Sequence, residues 1–351
     1  MMTKKNLALI SLLIAITGSI ILYLNCNPGG HNLANHKIES IDDPVDNFVT
    51  PELTQELTNE LVHEQIIETV VDHPSDVSQK IVSQNQAQIE TESKQQICDY
   101  QESHQKHIFF DVGDVLLTSS STGAAKAVGV SHMFWYTFKH KKTPESKDIQ
   151  SRLFEFIDYC TKRPRGHALF NKQPLPGIMC DWAKGKINTS EILKIVTHYE
   201  KEAQEFFISD EEKNLVFGAL NLFKPDVICN IQRPITKMVE LFEHACQQFP
   251  GHVYILSNWD RESAALIRQK FPQIFTKIQE DHIFFSGDIG VLKPEISAFE
   301  YVTDKLKIDP RSCILIDDNT ENIKVIRSLG WKGILHKHPE RSARKFRRLT
   351  K

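Results

Sequence analysis

Ile108-Phe109-Phe110-Asp111-Val112-Gly113-Asp114-Val115-Leu116 is the stretch that decides the fold. Three consecutive large apolar residues cannot alternate between core and solvent. They read as a short strand buried on both faces, the kind found in parallel sheets, and the strand ends abruptly on a carboxylate. Three further runs repeat the pattern. Val253-Tyr254-Ile255-Leu256 leads into Ser257-Asn258, Ile283-Phe284-Phe285 precedes a loop carrying Lys293, and Cys313-Ile314-Leu315-Ile316 leads into Asp317-Asp318. Amphipathic segments of helix length separate or follow them at 261–270, 295–306 and 321–329. Alternating strands and helices predict an α/β fold with a doubly wound, Rossmann-like parallel sheet, in which ligands sit beyond the carboxyl ends of the strands.

The polar residues stand at those ends, and together they suit phosphoryl transfer. A carboxylate such as Asp111 can attack phosphorus and divide one hard displacement into two easier ones. Asp317 and Asp318, at a neighbouring strand end, offer hard oxygen ligands for Mg²⁺, which would neutralise both Asp111 and an incoming phosphate. Lys293 supplies a fixed positive charge. Ser257 and the Asn258 backbone N–H are donors for phosphoryl oxygens.

With those residues in place the chain resembles the haloacid dehalogenase superfamily of hydrolases over roughly residues 106–337. The matching motifs are the Asp111 loop, Ser257-Asn258, Lys293-Pro294, and Asp317-Asp318-Asn319-Thr320-Glu321-Asn322. Ser257-Asn258-Trp259-Asp260, Gly290 and Leu329-Gly330-Trp331 look like the branch of α-D-glucose-1-phosphate phosphatase-like proteins. The resemblance implies Asp111 as nucleophile and Mg²⁺ ligand, the Gly113 carbonyl and Asp318 as further ligands, and Asp317 in the outer shell. It also implies that Asn322 supports the metal loop, that Ser257 and Asn258 bind the phosphoryl group, and that Lys293 bridges that group to the nucleophile. Many relatives carry an acid two residues after the nucleophile. Here that residue is Gly113, so Asp114 is the candidate proton donor, with a turn role as its alternative.

Residues 119–232 separate the first strand from the second and read mostly as helix, at 124–138, 149–159, 190–201 and 210–223, with turn-rich breaks at 163–166 and 173–177. A helical cap over the strand ends is expected, excluding water and selecting substrate. Trp135, Tyr136, His140, His167 and Trp182 are candidates to line it. After residue 337 a basic tail, 338–351, holds Arg341, Arg344, Lys345, Arg347, Arg348 and Lys351 against Glu340. It is either a solvated helix face or a contact for anionic lipid.

The chain has 351 residues and a formal net charge of −3, unevenly spread. Residues 39–105 hold fifteen Asp and Glu against Lys80 and Lys94, whereas 106–351 hold 37 basic and 30 acidic side chains. With few aromatics, 27–105 reads as an acidic flexible linker. Thr50-Pro51 leading into Leu53, Leu57 and Leu61 predicts one short helix within it. After Lys4 and Lys5, residues 6–24 carry no charge and are mostly Leu, Ile and Ala. At about 1.5 Å per residue they are long enough to cross a bilayer, so residues 1–26 read as a transmembrane anchor, with a cleaved signal peptide as the competing reading. The positive-inside bias then places the body outside the cytoplasm, periplasmic or lumenal. The seven cysteines show no CxxC pair and read as buried small hydrophobes.

The expectation is therefore a membrane-tethered, Mg²⁺-dependent phosphatase of a small phosphorylated metabolite, with no nucleic-acid partner. A catalytically weak relative that binds a phosphorylated ligand is the alternative. A 2-haloacid dehalogenase, attacking carbon with the same carboxylate, is the minor one.

Overall fold

The computed structural model describes residues 105–170, 173–199 and 203–351. The apolar run at 6–24, the acidic linker up to 104 and the short helix read after Thr50 lie outside the described residues. Among the described residues no helix is long and apolar enough to cross a membrane.

In chain order the strands are β1 (His107–Phe110), β2 (Leu117–Ser119), β3 (Leu169–Phe170), β4 (Gln173–Pro174), β5 (Gln232–Pro234), β6 (Val253–Ser257), β7 (Ile283–Phe285), β8 (Cys313–Asp317) and β9 (Lys332–Leu335). Five of them make one parallel sheet in the order β7-β6-β1-β8-β9. The apolar runs are buried on both faces, as their lack of alternation requires. Ile108 and Phe110 join Ile255, Ile316 and Phe242 on one side, while Phe109 packs with Tyr254, Leu315, Phe299 and Trp331 on the other. Helices Thr236–Gln248 and Arg261–Lys270 cover the first side, Ile296–Leu306 and Thr320–Ser328 the second. The chain places β6 and β7 on one side of β1 and only then β8 and β9 on the other. The reversal therefore opens a crevice at the carboxyl end of β1.

The cap enters and leaves through an antiparallel ribbon of β2 and β5, where Ser119 pairs with Gln232. It has its own apolar centre of Phe154, Phe156, Ile157, Ile192, Val196 and Leu215. The helix expected at 124–138 is two, Ser121–Val128 and Val130–His140. Gly129 between them has φ 105°, outside the helical region and open to glycine, and this interrupts the helix. The run at 190–201 is helix Thr189–His198, started by Asn188 and Glu191 in a reciprocal capping box. The run at 210–223 is α-helical only to Ala219 and tightens to a 3₁₀ turn over Leu220–Phe223.

The segment set apart as a tail, 338–351, is instead part of the domain. It forms helix Pro339–Leu349, with Phe346 fully buried in the same core as Phe242 and Phe249. Burying one such ring is worth about 1.5–3 kcal/mol, enough to dock an exposed helix. Strand β9 before it also went unforeseen. Lys332-Gly333 interrupts its apolar run because it is an edge strand, where charge and glycine are tolerated.

Candidate active site

Three adjacent strands deliver polar residues into the crevice. β1 hands over to Asp111, whose N–H donates to the Ile316 carbonyl at 3.0 Å, β6 ends on Ser257, and β8 ends on Asp317. Lys293, only 2% exposed, reaches in from the loop after β7. Its Nζ lies 2.6 Å from Asp317 Oδ2 and 3.1 Å from Asp111 Oδ1. The Asp111 carboxylate also accepts from the Val112 N–H at 2.8 Å through Oδ1, and that N–H lies 3.4 Å from Ser257 Oγ.

Asp317 is fully enclosed and its acceptors are largely taken. Asn319 N–H donates to Oδ1 at 2.8 Å, Asn322 Nδ2 approaches Oδ1 at 3.0 Å and Oδ2 at 2.9 Å, and Lys293 binds Oδ2. Asn319 also caps helix Thr320–Ser328 through the Glu321 N–H, so the turn that starts the helix aims the carboxylates. Asp318 differs. Its carbonyl accepts from Lys337 Nζ at 3.0 Å, but among the described residues no donor reaches its carboxylate.

Asp111, Asp317 and Asp318 each offer an oxygen, all within 4.8 Å of one another. One buried ammonium faces three carboxylates, and their proton affinities record the imbalance. Burial pushes the Asp111 carboxyl up to about 6; Lys293 pulls against that and Asp317 adds to it. Burial and then the charges of Asp111, Asp317 and Asp114 push Asp318 up to about 7. Burial by itself would lower Lys293, but Asp111 and Asp317 outweigh it and hold the ammonium above its ordinary value. A small hard cation is what such an oxygen cluster lacks, so the residues present fit Mg²⁺.

The other expected residues take more particular places. The Asn258 side chain is spent on Lys293: Nδ2 donates to the Lys293 carbonyl at 2.8 Å and Oδ1 accepts the Lys293 N–H at 2.9 Å. This clamp fixes the lysine backbone and leaves the Asn258 main-chain N–H as the donor for a ligand. Asp114 sits in a left-handed turn at φ 51°, exposed, with its carboxylate accepting from Thr118 Oγ1 at 2.8 Å. Gly113 leaves open space where a Cβ would stand, with nothing within 4 Å.

Most of the candidate cap-lining side chains make contacts within the cap. Trp135 is 57% exposed and packs on Phe134 and Phe138, Tyr136 lies against His140, and His140 pairs with Ser209. Trp182 donates to Thr189 Oγ1 at 3.2 Å and meets Phe223 edge-on, and His167 is exposed. Helix Gly177–Ala183 is the cap element beside the lysine loop. Cys180 and Ala183 pack on Leu292, Lys184 pairs with Glu295 at 2.7 Å, and Ser286 Oγ donates to the Ala183 carbonyl at 2.7 Å. Its small residues carried no signal of that role. His336 and Lys337 were likewise missed. They follow β9, and only the sheet brings them to the Asp317 and Asp318 backbone.

A family model for haloacid dehalogenase-like hydrolases matches residues 105–330. Drimenol cyclase drtB of Aspergillus calidoustus is 38% identical over 61 residues, 17% of this chain and 12% of that protein. Bifunctional epoxide hydrolase 2 of Rattus norvegicus is 26% identical over 98 residues, 27% of this chain and 17% of that protein. The chain thus spans less than a fifth of either relative. Among solved structures, a HAD family enzyme of Bacteroides thetaiotaomicron in complex with magnesium and inorganic phosphate is 18% identical, with a TM-score of 0.42 over 66% of this chain and 94% of that one. A predicted HAD-like family hydrolase of Porphyromonas gingivalis is 13% identical, with a TM-score of 0.42 over 70% of this chain and 98% of that one.

Proposed function

The chain belongs to the haloacid dehalogenase-like hydrolases, and from that premise we propose that it is a Mg²⁺-dependent phosphatase of a small phosphorylated metabolite. One observation carries the reading: three carboxylates share a buried crevice with one lysine, and two of them are pushed well above the ordinary carboxylate range. A 2-haloacid dehalogenase would need the nucleophile and the lysine, but not the acidic pair. Phosphoryl transfer uses all of them.

In this mechanism Asp111 attacks phosphorus. A bond forms between its carboxylate oxygen and phosphorus while the bond to the leaving oxygen breaks, and water later cleaves the phosphoaspartyl group to release phosphate. The Asp111 carboxylate is aimed by the Val112 N–H and Lys293 at its Oδ1. Lys293, clamped by Asn258, offsets phosphoryl charge, and Ser257 Oγ with the Asn258 main-chain N–H donates to the phosphoryl oxygens. Asp111, Asp318 and the Gly113 carbonyl would hold Mg²⁺, with Asp317 and Asn322 ordering the loop behind them. When bound, the ion would supply Lewis-acid charge stabilisation. Asp114 is exposed and held by Thr118 at one carboxylate oxygen, and Gly113 stands where relatives carry the acid, which favours substrates whose leaving group departs as an anion. The same feature supports the second reading, a ligand-binding relative with weak turnover.

The Ser257-Asn258-Trp259-Asp260 and Leu329-Gly330-Trp331 motifs support the α-D-glucose-1-phosphate phosphatase-like branch, but with Gly113 in the place of the acid an alkyl sugar phosphate should turn over more slowly than an aryl or acyl phosphate. The uncharged run at 6–24 supports a membrane-tethered enzyme with its body outside the cytoplasm. The test is a screen of phosphorylated metabolites with and without Mg²⁺, using wild type and Asp111→Asn. Turnover should require the ion and fall at least about 10⁴-fold in the variant, the scale of losing a nucleophile. Comparable turnover in the two proteins would sink the mechanism.

A further inference from the structure

Helix Pro339–Leu349 turns Ser342 and Phe346 inward, and Thr350 just beyond it is buried as well. Its outward face holds Arg341, Arg344, Lys345, Arg347 and Arg348, with Lys351 following, all exposed. None of these six forms an ion pair among the described residues. The one acid of the helix, Glu340, is committed to Lys237 and His338.

Folding does not account for this face. Cations in the last turn, Arg347 and Arg348, complement the helix dipole, but Arg341 lies in the first turn, where the dipole opposes it. Arg341 with Arg344 and Lys345, Arg344 with Arg347 and Arg348, and Lys345 with Arg348 stand three or four residues apart. Each such like-charge pair weakens a helix. The arrangement weakens the helix, and no described residue offsets it.

We infer that this face docks on the phosphate headgroups of an anionic bilayer. A protein partner would need an apolar centre to the contact, and the outward face has none, since Ala343 and Leu349 pack against the core. A single-stranded nucleic acid would need a ring to stack on, and the helix's one ring, Phe346, is fully buried. Guanidinium groups match phosphate oxygens, and basic clusters beside a membrane are held by them. The inward face is already spent on the core. The helix therefore lies on the headgroups without inserting, and the contact is reversed by salt. This inference rests in part on the membrane reading of residues 6–24, which brings the domain to a bilayer.

The test is amine labelling of the full-length chain in nanodiscs of phosphatidylcholine alone or with phosphatidylglycerol. Labelling of Lys345 and Lys351 should fall severalfold when phosphatidylglycerol is present and recover in high salt. Lys307, exposed at the end of a helix on the opposite side of the sheet, should not change. Arg344→Glu with Arg348→Glu should abolish the protection, whereas Arg344→Lys with Arg348→Lys should keep it. Equal labelling in the two lipid compositions would overturn the inference, as would protection by soluble tripolyphosphate without protection by phosphatidylglycerol. Retention of the chain by phosphatidylcholine discs tests the anchor separately, so the two readings fail independently.

Discussion

The two ends of one sheet treat buried polar groups in opposite ways. At the carboxyl ends, Asp111, Asp317 and Asp318 crowd around Lys293, and charge is kept in the interior. At the amino ends, His107 begins β1 with its Nδ1 3.1 Å from the Tyr254 hydroxyl, the His252 ring lies 5.0 Å from it, and His282 packs 4.5 Å from Tyr254. There burial, then His252 and His282, push His107 down to about 4, and burial pushes Tyr254 up to about 12, so these two buried groups stay uncharged near neutral pH. The same apolar strands insulate both ends. The difference is that one end keeps charges it cannot balance by itself, a poor choice for stability and a useful one for binding a cation and a phosphate.

The strongest way to break this comparison is Lys293→Met, which leaves two buried carboxylates uncompensated. Urea denaturation without Mg²⁺ should show a loss of about 3–5 kcal/mol. A loss under about 1 kcal/mol would mean that the charges at this end are not coupled.

Gly113→Asp sharpens the chemical side, because open space surrounds the Cβ position. A carboxyl there would supply the missing acid. Turnover of alkyl phosphates should rise about 10²-fold while aryl phosphates, with good leaving groups, gain little. Equal gains for both would point to altered binding, and no gain to Asp114 already serving.

Smaller effects should appear in pH dependence, with opposite signs at the two ends. Raised carboxylates stabilise the fold fully below about pH 4 and lose that contribution as pH rises through about 6 for Asp111 and about 7 for Asp318. Mg²⁺ needs the deprotonated forms, so the increase in Tm that it produces should grow between pH 5.5 and 8. An increment flat with pH would place the ion elsewhere. His107 works the other way. Its folded value lies near 4 against about 6.5 unfolded, so its contribution is present above about pH 6.5 and is lost as pH falls towards 4. His107→Phe should therefore narrow the gap in urea midpoint between pH 7.5 and pH 5. An unchanged gap would show that His107 carries no acid sensitivity.

Much of the site was readable because its physics is local. An unbroken apolar run such as Ile108 to Phe110 suits a strand covered on both faces, as in a parallel sheet, and a carboxylate directly after it then lies at the strand's end. Asp111, Ser257, Asp317 and Asp318 could therefore be named from sequence alone, as could the presence of helices between β2 and β5. What could not be read depends on contacts between distant segments. The Asn258 amide grips the Lys293 backbone, Lys337 reaches the Asp318 carbonyl, and Thr118 ties the Asp114 carboxylate. Phe346 draws a basic segment into the core, and Cys180 and Ala183 stand beside the lysine loop where larger cap side chains were expected. Periodicity and strand-end position are properties of neighbouring residues, so the sequence by itself determined four of the sheet's five strands, the end at which the reactive groups stand and the residue types placed there. Which donor each carboxylate receives, and how far burial raises its pKa, depends on packing between elements up to hundreds of residues apart, and only the tertiary structure decided that.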